Sequence, residues 1–354
     1  MSLVYSLRDS LRQHALDAFL VVNPENRAYL SGFTGSSGWL LVTVNIAQLI
    51  TDFRYYEQAV LQAPEFQLIR QTESLSLTLQ NQLKELGIHK LGFEQDHISY
   101  GQATALITDN PQVEFIALST VIEGQRMRKT DEEVDKMQKA ADISEHTFLH
   151  ILSFMQAGMT ELAVSLEMER YMRQMGAEGL AFESIVASGP RSSLPHGRPT
   201  DRVLEDGDFV TLDFGAKYKG YCSDMTRTLV IGKASEEQRK IYQIVYEAHM
   251  TALQAVKPGI LGKDLDMIAR NVITAAGYGE YFGHGLGHGV GRNVHEGPSC
   301  GKAGNQPLES GNIITIEPGI YIPNWGGVRI EDMVLVTDEG HRNFNHTTKA
   351  LIEI

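Results

Sequence analysis

The chain has 354 residues, 42% hydrophobic and 21% charged, with a formal net charge of −13 and two cysteines, Cys222 and Cys300. That length is more than one hydrophobic core usually holds, so two domains are expected. The acidity argues against a nucleic-acid partner, the cysteine count against a disulfide scaffold, and the absence of a long apolar run against a signal peptide or membrane span, so the expected location is cytoplasmic.

Early in the chain, short apolar runs alternate with helical patterns. AFLVV (18–22), GWLLVTV (38–44) and AQLIT (47–51) read as strands, residues 75–87 as an amphipathic helix ending at Gly87, and LGFE and EFIAL as further strands. The composite is a small α/β domain. GFTGSSG (32–38) lacks the Lys-Ser/Thr ending of a phosphate loop and reads as a turn.

A boundary falls near GQRMRKTDEE (124–133), dividing the chain into residues 1–124 and 125–354. Thr130 and Glu133 form a capping box that opens a long helix to about Met155, and a shorter helix spans about 160–175. Strand-like FESIVASG, VTLDFGA and TRTLVIG follow. Ser235 and Gln238 form a second box, for a helix running to Val256, and a shorter helix lies within 257–279. Gly158 and Gly176 are spaced as Gly259 and Gly277 are, and Val164, Tyr171 and Met172 fall opposite Leu265, Val272 and Ile273. This predicts an internal duplication, two α/β halves with a site at their seam.

VTLDFGAKYKGYCSDMTRTL (210–229) reads as a hairpin. With the turn centred on Tyr218 and Lys219, Asp213 lies directly opposite Asp224. At roughly 4 Å and an effective dielectric of about 20, their repulsion is on the order of 4 kcal/mol. Either a carboxyl is protonated, or a cation sits between them, or a different turn sends one aspartate to solvent. Glu317 and Glu331 lie in apolar strand-like stretches, IITIEPGIYI and GVRIEDMVLV, where a buried charge needs a partner or a metal. Arg329 is two residues before Glu331, on the same strand face, and is the plain ion-pair alternative for it.

In FGHGLGHGVGRNVHEGP (282–298), His284 and His288 are four apart, but the intervening glycines make a helix improbable and allow close backbone approach instead. Four carboxylates and one histidine balance two divalent cations. Oxygen with imidazole suits manganese, cobalt, iron or zinc, and a paired-metal site points to hydrolysis with metal-activated water. His196, between Pro195 and Pro199, reads by itself as a loop histidine, and His295 as an ion-pair partner of Glu296.

SLPHGRP, LDFGAKYKGYCSDMTRT, GHGLGHGVGRNVHEGP, IEPGIYIP and GVRIED, with ITDFRYYEQA near the N-terminus, together resemble the proline-directed metallopeptidases of pita-bread fold, which include aminopeptidase P and prolidase. The resemblance covers essentially the whole chain. It implies a creatinase-like N-terminal domain and a pita-bread catalytic domain whose pseudo-twofold halves carry helices and antiparallel strands. It implies two divalent metal ions, Mn2+ or Co2+ ahead of Zn2+ or Fe2+, on Asp213, Asp224, His288, Glu317 and Glu331, with Asp224 and Glu331 bridging. His196, His284 and His295 would contact the substrate, Glu317 would carry a proton, and Arg329 would brace the acids. The implied activity is cleavage of Xaa-Pro peptides or dipeptides by a homodimer. A creatinase-like hydrolase without metal and a non-catalytic binding protein are the alternatives. Leu286 departs from the small polar residue expected between the two glycines of HGLGH.

Overall fold

The computed structural model describes residues 3–354. They divide into two compact units, one ending at Gln125 and the other running from Arg126 to Ile354. The first unit is built on a six-stranded sheet of β1 (Ala18–Val21), β2 (Trp39–Thr43), β3 (Ala47–Thr51), β4 (Gln67–Arg70), β5 (Lys90–Glu94) and β6 (Glu114–Leu118), in the order β4-β3-β2-β1-β5-β6. The central strand β1 pairs antiparallel with β2 and parallel with β5. Its residues alternate between two cores, Phe19 and Val21 on one face and Ala18 and Leu20 on the other. That is why its sequence is continuously apolar: both faces are covered.

Around the sheet lie α1 (Leu3–Gln13), α2 (Pro24–Ser31), α3 (Tyr56–Gln62), α4 (Leu75–Glu85), α5 (Tyr100–Asp109) and α6 (Val121–Arg126). The predicted strands are all present. The sequence reading missed β4, whose QLIR is only partly buried and so has no strong apolar signature. GFTGSSG is a turn: Gly32 caps α2 with a left-handed φ of 80°.

In the second unit, α7 (Asp131–Phe154) opens on the reciprocal Thr130–Glu133 box. It is followed by α8 (Glu161–Gln174), β7 (Gly179–Leu180), β8 (Ile185–Ser188), β9 (Phe209–Phe214), β10 (Ala216–Tyr218), β11 (Tyr221–Cys222) and β12 (Met225–Val230). The order then recurs. After α9 (Glu236–Ala255), capped by Ser235 and Gln238, and α10 (Gly262–Ala275) come β13 (Gly287–Gly289), β14 (Glu296–Cys300), β15 (Ile313–Ile316), β16 (Gly319–Ile322), β17 (Gly326–Arg329), β18 (Asp332–Val336) and β19 (His341–Asn343).

The duplication is visible in detail. Gly158, Gly176, Gly259 and Gly277 have φ of 90°, 99°, 87° and 89°, a region open to glycine at no steric cost. The Gly158 amide donates to Leu204 O at 2.9 Å and the Gly259 amide to Leu308 O at 2.8 Å. Val164 and Met172 are fully buried in one half, as Leu265 and Ile273 are in the other. Tyr171 and Val272 are only partly buried. Each helix pair thus covers its own strands, β12-β9-β8 in the first half and β14-β13-β15-β18-β19 in the second.

Candidate metal centre

The hairpin register differs from the predicted one. Lys217 pairs with Cys222 and Tyr218 with Tyr221, so the two-residue turn is Lys219-Gly220, with φ of 46° and 78°. This is the doubly left-handed geometry that matches strand twist, and glycine at its second position suits it. Asp213 therefore faces Thr226, not Asp224. Because the shift is by two residues, both aspartates keep the same sheet face, as diagonal neighbours.

Glu317 and Glu331 sit at breaks in strand geometry, between β15 and β16 and between β17 and β18. Glu331 is buried and accepts from Thr226 Oγ1 at 2.6 Å; its amide donates to Thr226 O at 3.1 Å. The simple ion pair between Arg329 and Glu331 is not what forms. The strand break separates the two, and Arg329 donates from Nη2 to Asp213 Oδ2 at 2.6 Å, from Nε to Thr226 Oγ1 at 3.0 Å, and from Nη1 to Tyr321 Oη at 2.8 Å and Pro195 O at 3.2 Å.

The glycine-rich segment is not a helix, and within it Gly287–Gly289 form the short strand β13. A Cβ on Gly287 would lie 2.1 Å from Thr315 O, and one on Gly289 would lie 2.0 Å from Gly297 O. The glycines let β13 lie against its neighbours and bring His288 to the acids. His288 Nδ1 contacts Gly289 O at 3.0 Å, leaving Nε2 facing Glu317 Oε1 at 3.3 Å and Asp224 Oδ2 at 3.7 Å. Such a backbone bond on one ring nitrogen orients the other as a ligand. Donor atoms of Asp224, His288 and Glu331 all lie within 4.8 Å of one another. Asp213 and Glu317 stand outside that tightest group, one drawn to Arg329 and the other to His288.

His295 is not the partner of Glu296. Glu296 is held by Arg126 at 2.6 Å and Lys129 at 2.8 Å, while the His295 ring packs edge-on against His288, centroids 4.2 Å apart. His284 contacts Gly285 O at 2.7 Å and Tyr321 Oη at 2.8 Å. Leu286 is fully buried in the core and its amide donates to Asp266, so it plays no part in the lining. One cavity of about 550 Å³ is lined by His196, Asp213, Asp224, His284, His288, His295, Glu317, Arg329 and Glu331. His196 and His295 are at its exposed side; Asp213, Asp224, Arg329 and Glu331 are buried at its floor.

The floor carries electrostatic stress. Burial, then the charges of Glu331 and Asp213, push Asp224 well above the usual carboxylate range. Burial, then Glu317 and Asp213, do the same to Glu331. Asp213 is raised by burial against the opposing pull of Arg329. For Glu317, burial is outweighed by the hydrogen bond and charge of His288, and the carboxyl settles at about 2. Burial lowers His284, and burial with the nearby His288 lowers His295. Asp213 Oδ1 and Asp224 Oδ1 are buried with no hydrogen-bond partner. A buried carboxylate oxygen without a donor is costly unless a cation meets it.

Residues 135–338 match the model of metallopeptidase family M24, and residues 4–128 match the creatinase/prolidase N-terminal domain. The chain belongs to metallopeptidase family M24. It is 38% identical to a Xaa-Pro dipeptidase of Pyrococcus horikoshii, over 99% of this chain and 98% of that one. Among solved structures, a Xaa-Pro dipeptidase from Bacillus anthracis superposes with a TM-score of 0.97 at 45% identity, and an X-Pro aminopeptidase from Thermotoga maritima with 0.93 at 38%, each covering 99% of both chains. Its two units are thus the creatinase-type N-terminal fold and the pita-bread fold.

Membership of M24 implies divalent metal ions, and the donor set of this M24 chain fits them: hard oxygen ligands, one oriented imidazole and two orphaned carboxylate oxygens. The sequence reading missed the groups that hold this set. Thr226 links Glu331 to Arg329, and Tyr321 links Arg329 to His284. On the opposite strand faces, Arg227 and Asp332 form a fully buried ion pair at 2.8 Å, one residue beyond Thr226 and Glu331. Arg227 also donates to Glu331 O at 2.6 Å, and His249 bridges Asp332 Oδ2 at 3.1 Å and Ile316 O at 3.0 Å. A charge within an apolar strand flagged Glu317, and the same signal was present at Arg227 and Asp332.

The close approach of β13 yields a direct test. Gly289→Ala is expected to destabilise this M24 fold by about 1–3 kcal/mol or more, as overpacking does. Gly283→Ala, where a Cβ meets nothing within 4 Å, should be nearly neutral. Paired thermal melts compare them, and equal melting temperatures would contradict the steric account.

Proposed function

We propose that this chain is a metal-dependent exopeptidase that hydrolyses the Xaa-Pro bond at the N-terminus of peptides or in Xaa-Pro dipeptides. The observation that carries the reading is the convergence of Asp213, Asp224, Glu317, Glu331, four imidazoles and the buried Arg329 on one cavity. Asp213, Asp224, His288, Glu317 and Glu331 would hold two divalent cations. When bound, such a pair polarises the scissile carbonyl and makes water nucleophilic at neutral pH.

The protein's own residues do the rest. Glu317, held ionised beside His288, is suited to take the proton of the attacking water and pass it to the leaving proline nitrogen. His295, lowered toward the neutral form, can offer an N–H to the developing oxyanion; neutral His284 donates its one N–H from Nδ1 to Gly285 O, accepts at Nε2 from Tyr321 Oη, and lines the cavity beside the substrate. His196 faces the substrate from the open side. Arg329 fixes Asp213 and, through Pro195 O, the segment carrying His196. In this reading residues 1–124 are the creatinase-like domain and 125–354 the catalytic one.

Oxygen-rich ligation favours Mn2+ or Co2+ over Zn2+ or Fe2+. Cys222 and Cys300 are buried and not joined in a disulfide, which supports a cytoplasmic protein, and no helix of the described residues is long and apolar enough to cross a membrane. Exposed Phe53, Val60 and Leu61 of the N-terminal unit support a homodimer. The crowded acids favour this reading over a metal-free creatinase-like hydrolase or a binding protein, neither of which needs them.

The test is a length series with added metal: Xaa-Pro, Xaa-Pro-Xaa and longer peptides, against Xaa-Ala controls. Hydrolysis confined to the proline-containing members is expected. Equal cleavage of Xaa-Ala would overturn the reading.

A further inference from the structure

His284 stands between Gly283 and Gly285, in a stretch from Phe282 to Leu286 that is neither helix nor strand. Flanking glycines bring no side chains to pack and leave the backbone many conformations, so a fixed imidazole there needs an outside hold. Two side chains of α10 supply it. We infer that Asp266 and Arg270 are positioning residues that set the backbone of His284, and with it the imidazole facing the substrate. The inference rests on the Xaa-Pro reading above, which puts His284 beside that substrate.

Asp266 and Arg270 lie one helical turn apart and pair through two bonds, Nε to Oδ2 and Nη2 to Oδ1, both 2.9 Å. Their remaining capacity goes to the stretch that carries His284. Arg270 donates from Nη1 to Phe282 O and from Nη2 to His284 O, each at 2.7 Å, and its guanidinium lies 4.2 Å from the Phe282 ring centroid. Asp266 Oδ1 accepts from the Leu286 amide at 2.9 Å. The peptide groups on both sides of Gly285 are therefore held. The second of them links the hold to the ring. Its N–H goes to Asp266, and its carbonyl, Gly285 O, accepts from His284 Nδ1 at 2.7 Å. Turning that peptide would remove the bond that orients the imidazole.

An ion pair that served only its own helix would sit at the surface, where such pairs contribute little. This one is withdrawn from solvent, with Asp266 buried and the Arg270 side chain 16% exposed, and its further bonds all land between Phe282 and Leu286. The first half of the duplicated unit holds its cavity histidine in a comparable way. Glu161 of α8 is fully buried and accepts from the amides of Ser188 at 2.8 Å and Thr200 at 3.0 Å, at the two ends of the loop that carries His196. Each half thus uses a buried acid on its shorter helix to fix a loop at the cavity.

The test uses the full chain loaded with Mn2+ and an Xaa-Pro dipeptide. Arg270→Ala should lower kcat/KM by about 10- to 100-fold, as displacing a group at the reacting centre does, with two equivalents of metal retained. Added to His284→Ala, the same change should cost less than about twofold, because a residue that acts through His284 then has nothing left to position. Arg270→Lys should recover part of the loss, since an ammonium cannot hold Phe282 O, His284 O and Asp266 together; it carries the same cycle should the alanine variant not fold. Equal losses with and without His284 would overturn the inference. So would loss of a metal equivalent, which would place the effect at Glu317, whose amide donates to Leu286 O at 2.8 Å. The nitrogen-15 spectrum of the His284 ring in the Zn2+-loaded chain, assigned by its absence in His284→Ala, reads the position without turnover. Arg270→Ala should shift the Nδ1 resonance, and an unshifted resonance would sink the positioning role alone. A shifted resonance in a chain that cleaves no Xaa-Pro bond would sink the functional reading alone.

Discussion

Exhaustive chelation is expected to abolish Xaa-Pro hydrolysis, and added Mn2+ or Co2+ to restore it. The cause is electrostatic. Asp213, Asp224 and Glu331 are all held above the usual carboxylate range by burial and by neighbouring acids, so opposite charge entering the set relieves their mutual repulsion and favours the ionised, ligating form. Arg329 and His288 supply too little for four acids. The sharper form of the test is Asp213→Ala, followed by metal titration. The variant loses one neighbour of Asp224 and the counter-charge of Arg329, and it should no longer take up two equivalents of metal. The N-terminal unit, which has its own cores, should remain folded by circular dichroism. Full metal uptake by this variant would show the ligand assignment to be wrong, and activity that survives chelation would point to the metal-free alternative.

Asp332→Asn is expected to cost about 3–5 kcal/mol at neutral pH, the range for breaking one partner out of a buried ion pair. Asp332 is fully buried and accepts from Arg227 at 2.8 Å, Lys349 at 2.9 Å and Asn343 at 2.6 Å. Burial raises its carboxyl, but Arg227, His249 and Lys349 outweigh that and hold it well below the usual range. A carboxyl lowered in the folded state contributes stability that is complete above its unfolded pKa of about 3.9 and is lost as pH falls from there toward the folded value. The deficit of the variant should therefore be full at pH 7 and shrink below about pH 4. Denaturant unfolding at the two pH values measures it, and a deficit independent of pH would mean that the charge is not what stabilises the fold. Because Arg227 also holds Glu331 O and His249 holds Ile316 O, metal affinity should fall about 10–100-fold, as for other supports of ligand groups.

These expectations depend on different levels of the molecule. Local chemistry was legible wherever a short-range rule governs. The Thr130 and Ser235 caps, the positive-φ glycines at equal spacing and the non-helical His284–His288 segment all follow from backbone sterics and neighbouring side chains. The apolar setting of Glu317 and Glu331 likewise marked them as buried or nearly so.

Pairing was harder to read. The hairpin was placed two residues out of register because several turns fit KYKG equally well by composition. Only the left-handed Lys219-Gly220 pair, fixed by strand twist, decided between them. The even size of the error preserved the face, and so the conclusion that both aspartates enter one site. The plain ion-pair alternatives for Arg329 and Glu296 fail for a related reason. Both drew on neighbours in sequence, whereas Asp213 is 116 residues from Arg329 and Lys129 is 167 from Glu296.

The sequence by itself determined the element types, the doubled plan of the C-terminal half and which side chains are too costly to bury alone, because each of these depends on residue identity and on neighbours a few positions away. The tertiary structure alone decided who meets whom: Thr226 with Glu331, Tyr321 with His284. Such contacts join strands and loops distant along the chain. Their geometry is set by packing and sheet twist summed over the whole unit, which no local pattern encodes.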